Sequence, residues 1–162
     1  MHATYEIERK FLLPAPPPDL DRFPRRAIRQ GYVAADPDGT VVRVRQLGDA
    51  FFLTVKSRGH RARLEREVPI TPEQFEALWP VTEGKRIEKT RYYLPHGPYT
   101  IELDVYHGAL DGLLTAEVEF PSLQEADAYI PPDWFGREVT RDVRYKNLHL
   151  ALHGLPPDAF AR

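Results

Sequence analysis

Eight short stretches of this chain read as strands, nearly all of them alternating between ions and apolar side chains, and that repeat confines it to a sheet. The stretches lie near 3–12, 28–35, 40–47, 50–58, 62–69, 86–94, 98–106 and 113–120. A period of two sends successive side chains to opposite faces of a strand. In "EIERK", Glu6, Glu8 and Lys10 share one face, and Tyr5, Ile7, Arg9 and Phe11 share the other. Further along, Arg43 pairs with Arg45, Thr54 with Lys56 and Arg58, and Arg63 with Glu65 and Glu67. Lys85, Ile87, Lys89 and Arg91 form another row, as do Glu102, Asp104 and Tyr106, and then Glu117 and Glu119. Turn signals separate the stretches, among them "DPDG" at 36–39, "LGD" at 47–49 and "PHGP" at 95–98. Short strands joined by such turns form antiparallel hairpins.

For any one strand, a polar face turned to water explains the alternation. The whole set demands more, because the polar face is almost wholly Arg, Lys, Glu and Asp in same-sign pairs. Members of such a pair stand about 7 Å apart along a strand, and like charges on neighbouring positions repel. A closed barrel with its charged faces inward lets acidic rows oppose basic ones. Buried ions still cost several kcal/mol each unless well paired, so a highly charged ligand justifies the arrangement better. Basic rows suit phosphoryl oxygens, and acidic pairs suit hard divalent cations. A polyphosphate carrying Mg²⁺ or Mn²⁺ asks for both. The glycine-rich loops of nucleotide-binding folds are absent from the sequence, so side chains on a sheet must do the phosphate work.

Helices decorate this sheet. "TPEQFEALWP" at 71–80 begins with Thr71 as N-cap and Pro72 at the first helical position. "SLQEADAYI" at 122–130 starts on Ser122, and "NLHLALHG" at 147–154 stops at Gly154. The fold class expected is α+β, mainly β, as one domain over 1–162. Charge is high but near balance, with a formal net of -2, which argues against a dedicated nucleic-acid binder. The absence of cysteine excludes thiolate chemistry and disulfides. No apolar run approaches membrane-spanning length, and no leader pattern is visible, so a cytoplasmic protein with no membrane partner is expected. Trp79 and Trp134 read as packing residues. His149 and His153, four apart, permit metal binding in principle, but the leucines around them favour a surface helix.

Several of these segments together resemble a known family. Glu6-Ile7-Glu8-Arg9-Lys10 matches the E-x-E-x-K signature of the CYTH domain, in the triphosphate tunnel metalloenzyme superfamily. "QGY" at 30–32, Arg43-Val44-Arg45, Thr54-Val55-Lys56, Glu65-Arg66-Glu67, "KTRYY" at 89–93, Glu102-Leu103-Asp104, Glu117-Val118-Glu119 and "DVRYKNLHLA" at 142–151 follow in the family's order. The resemblance spans nearly the whole chain. It implies a closed antiparallel eight-stranded β-barrel, or tunnel, with charged inner walls. The "EIERKFL" start most resembles the inorganic triphosphatases, which implies a small-molecule triphosphate substrate and a monomer or homodimer. Lys146 departs from the pattern, since related tails often carry a small residue before the Asn.

On this reading Arg43, Arg45, Lys56, Lys85, Lys89 and Arg91 bind phosphate. By resemblance, Glu6, Glu8 and Glu119 lead as metal ligands. Glu102, Asp104 and Glu117 hold a second metal or orient the attacking water, and Glu65 and Glu67 support the facing basic rows. The family also suggests that Lys10 and Tyr32 form a hydrogen-bonded pair near the reacting phosphate. Thiamine triphosphatase and class IV adenylyl cyclase are the alternative enzymes, each needing a pocket for its ring system. A polyphosphate-binding module without catalysis is the non-enzyme alternative, which the full set of acidic pairs disfavours.

Overall fold

A computed structural model describes residues 7–37, 39–57 and 64–160. Each alternating stretch yields a strand: β1 (Ile7–Leu12), β2 (Arg25–Ala35), β3 (Val41–Leu47), β4 (Ala50–Lys56), β5 (Glu65–Pro69), β6 (Arg86–His96), β7 (Tyr99–Tyr106) and β8 (Leu114–Phe120). Glu6, Arg58 and Arg63, all expected on inward-facing rows, lie outside the described residues. Strand β2 begins three residues before the expected start at 28. There the exposed Arg25 and Arg26 pair with Tyr92 and Arg91 of β6, so the partner strand, not burial, extends it. Gly48 and Gly97 adopt φ values of 58° and 59° in the β3–β4 and β6–β7 turns, a region that glycine enters without a Cβ clash.

All neighbours are antiparallel, in the order β1-β8-β7-β6-β2-β3-β4-β5. Among the described residues this sheet is not closed by strand pairing, which corrects the expected closed barrel. The physical reason lies at the free edge of β1. Residues 136–140 already occupy it: Gly136 N donates to Leu12 O at 2.7 Å, Leu12 N to Arg137 O at 2.9 Å and Val139 N to Lys10 O at 2.8 Å. Lys10 N donates to Thr140 Oγ1 at 3.0 Å. A Cβ on Gly136 would stand 2.7 Å from the Leu12 carbonyl oxygen, so only glycine allows this approach. Opposite, β5 is five residues long and exposed throughout. The sheet nevertheless curls far enough that β1 and β5 line one cavity.

Helices α1 (Pro72–Leu78), α2 (Leu123–Ala128) and α3 (Asn147–His153) follow the sequence signals closely. Thr71 and Gln74 form a reciprocal capping box on α1. Its Phe75 is fully buried, stacks on Trp79 at 5.2 Å and meets Phe51. Burial of such a ring contributes roughly 2–3 kcal/mol. Helix α2 covers the outer face of β1, β8 and β7, where Phe11, Ile101, Val118 and Phe120 meet Ala126 and Tyr129. Trp134 packs edge-on against Phe135 beside that cluster. The two tryptophans are therefore packing residues, as expected. Helix α3 and the turn before it cover the inner face: Tyr145 of the turn and Leu150 and Ala151 of the helix join Tyr32, Ile87 and Tyr106 in a second core. No helix among the described residues is long and apolar enough to cross a membrane.

Candidate active site

The inner face of the curled sheet encloses a cavity of about 770 Å³. Of the expected site residues, Glu8, Lys10, Tyr32, Arg43, Arg45, Lys56, Glu65, Glu67, Arg91, Glu102, Glu117 and Glu119 line it. Register explains their convergence, because directly opposed residues in an antiparallel ladder point to the same side. Glu8 opposes Glu119, and Lys10 opposes Glu117, which opposes Glu102. On the other wall Tyr32 opposes Arg43, which opposes Thr54, which opposes Glu67.

The acidic wall carries a compact trio. One carboxylate oxygen each from Glu8, Glu117 and Glu119 lie within 4.8 Å of one another. Mg²⁺ takes oxygens at about 2.0–2.1 Å, so a slight contraction brings the three onto one ion. Hard-cation chemistry matches the donor set, and the trio fits Mg²⁺ or Mn²⁺. Glu117 joins Glu8 and Glu119 here, whereas the sequence reading assigned it to a second metal or to the water. Burial, opposed by Arg91 and reinforced by Glu117 and Glu119, raises the pKa of the neighbouring Glu102.

The basic wall is built around a bridging network. Arg43 Nη2 donates to Thr54 Oγ1 at 3.3 Å, and Thr54 Oγ1 donates to Glu67 Oε2 at 2.9 Å. Glu67 stands 3.7 Å from Arg43 and 3.8 Å from Arg45. These contacts are loose, and Arg43 Nε and Arg45 Nε are buried with no hydrogen-bond partner. Buried donors without partners are uncommon in folded proteins. Two of them side by side on a cavity wall suit an anion.

Beneath the wall lies an ion triad. Asp104 and Lys89 are each 3% exposed and do not line the cavity. Lys89 Nζ donates to Asp104 Oδ2 at 2.7 Å, while Arg91 Nε reaches Oδ1 at 2.8 Å and Nη2 reaches Oδ2 at 3.0 Å. Arg91 Nη1 also pairs with Glu102 Oε2 at 2.7 Å. Burial is the largest influence on both members of the Lys89–Asp104 pair. At Asp104 the two cations outweigh it and hold the carboxyl at about 2. At Lys89 burial prevails and lowers the ammonium to about 8. Arg91 thus reaches the cavity on a fixed mount.

Lys10 and Tyr32 both line the cavity, but their expected pairing is replaced by other contacts. Lys10 Nζ donates to the Tyr145 carbonyl oxygen at 2.6 Å, and Tyr32 Oη accepts from Gln30 Nε2 at 2.9 Å. Burial lowers the Lys10 pKa, with Glu117 and Asp104 opposing. Lys85 lies off the wall, its ammonium 3.5 Å from the Val33 carbonyl oxygen.

No family model matches the chain. It is 51% identical over 150 residues to an inorganic triphosphatase of Nitrosomonas europaea, spanning 91% of this chain and 97% of that protein. An inorganic triphosphatase of Acetivibrio thermocellus is 39% identical over 150 residues, with 90% and 92% covered. This chain belongs to the inorganic triphosphatase family. The crystal structure of the inorganic triphosphatase NE1496 superposes with a TM-score of 0.77 at 46% identity, covering 94% of this chain and 97% of that one. The family also agrees with the CYTH resemblance carried by the strand motifs.

In this triphosphatase-family chain, one side of the cavity comes from residues that the strand alternation does not reach. Val139, Thr140, Asp142, Tyr145, Lys146 and Asn147 line it from the C-terminal segment. The signal available was "DVRYKNLHLA", which contains Asp142, Tyr145, Lys146 and Asn147 but has no period to reveal which of them face inward. His149 and His153 meet at 4.4 Å with their rings tilted on α3, and neither lines the cavity.

Proposed function

We propose that the cavity hydrolyses inorganic tripolyphosphate to pyrophosphate and phosphate in a reaction that depends on a divalent metal. The observation that carries this reading is the carboxylate trio Glu8, Glu117 and Glu119 facing the Arg43–Arg45 row across one cavity. Glu6 shares the parity of Glu8 and completes the ligand set. Bound Mg²⁺ or Mn²⁺ supplies charge neutralisation and polarises a phosphoryl oxygen. Arg43, Arg45, Lys56 and Arg91 bind the remaining phosphoryl oxygens, while Lys89 and Asp104 hold Arg91 in position. Lys10 approaches the acidic trio from its opposed position to Glu117 and steadies the reacting phosphoryl group, with Tyr32 beside Arg43.

Hydrolysis requires an oriented water in line with the leaving group. Glu102 orients that water, and its raised pKa supports a role in accepting the proton. The water oxygen bonds to the terminal phosphorus, the bridging P–O bond breaks, and pyrophosphate leaves with the electron pair.

The test is phosphate release from tripolyphosphate, ATP and thiamine triphosphate, measured side by side. Tripolyphosphate is expected to be the best substrate with Mg²⁺ or Mn²⁺, and EDTA to abolish its turnover. Persistent activity without metal, or cyclic AMP as the dominant product from ATP, overturns the reading.

A further inference from the structure

We propose that Gln30, a buried residue behind the cavity wall, is a positioning residue: it holds the Tyr32 phenol so that the phenol offers its proton to an oxygen of the polyphosphate. The inference rests on the triphosphatase reading and adds a residue to it that does not touch substrate.

Gln30 interrupts an apolar row. Ile28, Gln30 and Tyr32 alternate onto one face of β2, with exposures of 2%, 1% and 4%. Strand β2 lies inside the sheet order, and Gln30 is flanked by Arg45 on β3 and Ile87 on β6. A buried amide is costly unless it is hydrogen-bonded. Here Gln30 Nε2 donates to Tyr32 Oη at 2.9 Å, two residues along the same strand. Tyr32 lines the cavity and Gln30 does not. The amide therefore acts on a bound ligand only through the phenol.

The direction of that bond decides what the phenol can do. A phenol carries one donor proton and also accepts. Its oxygen receives the Gln30 amide, and the directly opposed Arg43 is a second donor toward it. The hydroxyl donates to no group among the described residues, so its proton is left for the cavity. Burial raises the phenol pKa and keeps that proton in place, with Arg43 and Gln30 opposing. Negative charge grows on the leaving oxygen as the P–O bond breaks. A donor already fixed in direction stabilises that charge without reorganising, so Gln30 acts on the chemical step more than on binding.

Gln30→Met keeps the length of the side chain and removes the donor. In steady-state assays with tripolyphosphate and Mg²⁺ it is expected to lower kcat about tenfold while KM stays within about twofold, the size of one hydrogen bond weakened in the transition state. Tyr32→Phe lowers kcat at least as far. A packing role for Gln30 would act independently of the hydroxyl, so the two changes combined separate the cases: the double variant should match Tyr32→Phe to within about twofold. Wild-type kcat in the Met variant overturns the proposal, as does a double variant whose losses multiply. Gln30→Leu takes the same place in the cycle if the Met variant does not fold.

A second readout needs no turnover. In protein labelled with ¹³C at the tyrosine Cζ, the Tyr32 resonance is the one lost in Tyr32→Phe. It should move when tripolyphosphate is added in EDTA, and move much less in Gln30→Met. Equal movement in both overturns the proposal. A wild-type protein that binds tripolyphosphate but never hydrolyses it overturns the triphosphatase reading, and the Tyr32 resonance still decides Gln30. Absence of tripolyphosphate binding by the wild type overturns both.

Discussion

Glu8 on β1 and Glu119 on β8 occupy directly opposed positions, with Glu117 completing a carboxylate trio within 4.8 Å. Like charges facing each other across a ladder are destabilising by a few tenths of a kcal/mol to about 1 kcal/mol. A cation between them converts that repulsion into a ligand set. Glu8→Gln removes one charge and keeps the shape. It is expected to lower kcat by about a hundredfold or more, because metal charge stabilisation contributes several kcal/mol. Its apo-protein Tm should stay level or rise. Near-wild-type kcat, measured with tripolyphosphate at saturating Mg²⁺, would remove Glu8 from the metal site.

Arg45→Ala should behave differently. The guanidinium has a buried Nε without a partner, and in the proposed reaction it holds phosphate in the ground state and the transition state alike. Loss of uniform binding raises KM more than it lowers kcat. Steady-state titration should give a KM increase of about tenfold or more, the size expected for one charged contact. A dominant fall in kcat would reassign Arg45 to the transition state.

Asp104→Asn tests the mount beneath the wall. The change leaves the Lys89 ammonium buried without its counter-ion. Breaking one partner of such a pair costs about 3–5 kcal/mol, and denaturant unfolding should register that loss. Adding Lys89→Met is expected to recover part of it. If Asp104→Asn alone is neutral, the triad contributes nothing to the fold.

The same carboxyl fixes an acid limb. Its folded pKa is about 2, below the ordinary 3.8. The unfolded chain therefore binds more protons in that interval, and stability must fall as pH falls. Asp104's contribution is complete above pH 4 and disappears progressively through about 2. Lys89, lowered to about 8 from 10.5, also leaves the unfolded chain with more protons, so its own contribution grows with pH across that alkaline interval. Unfolding curves of wild type and Asp104→Asn should differ at pH 5 and converge near pH 2. A constant gap down to pH 2 would contradict this assignment.

Gly136→Ala addresses the edge of β1. The added methyl group would meet the Leu12 carbonyl oxygen at 2.7 Å, and the backbone must retreat. A loss of about 1–3 kcal/mol is expected, as for other overpacked sites. Differential scanning calorimetry would detect it, and an unchanged Tm would show that the 136–140 segment moves freely.

Strand positions and inward-facing residues were legible in the sequence wherever period two carried them, as at Arg43 and Arg45 or Glu117 and Glu119. Alternation reports which face a residue occupies, but not how deep it sits. Asp104 and Glu102 share a row, yet one is buried under Lys89 and Arg91 while the other faces the cavity. The Lys10–Tyr32 pairing is replaced for a related reason: Lys10 Nζ donates to the Tyr145 carbonyl, 135 residues away in sequence. Closure was illegible because hydrogen-bonding capacity at an edge depends on what already covers it. Residues 136–140 form only one isolated bridge, at Glu138, and display no alternation to announce their place against β1.

The partners of β1 also dictate the order of events in biosynthesis. Its ladder joins Ile7 to Phe120 and Leu12 to Thr115, and its outer edge waits for Thr140, 130 positions downstream of Lys10. Contacts of such long sequence separation form late and slow the folding of β-rich chains. During translation at about 5–20 residues per second, the hairpins from β2 to β7 emerge with their neighbours while β1 has no strand to join. Glu8 and Lys10 ride on that strand, so a nascent chain halted before β8 holds the Arg43–Arg45 row without its acidic counterpart. Metal binding on the ribosome should therefore appear abruptly, once β8 and the 136–140 edge have left the exit tunnel, rather than accumulate with chain length.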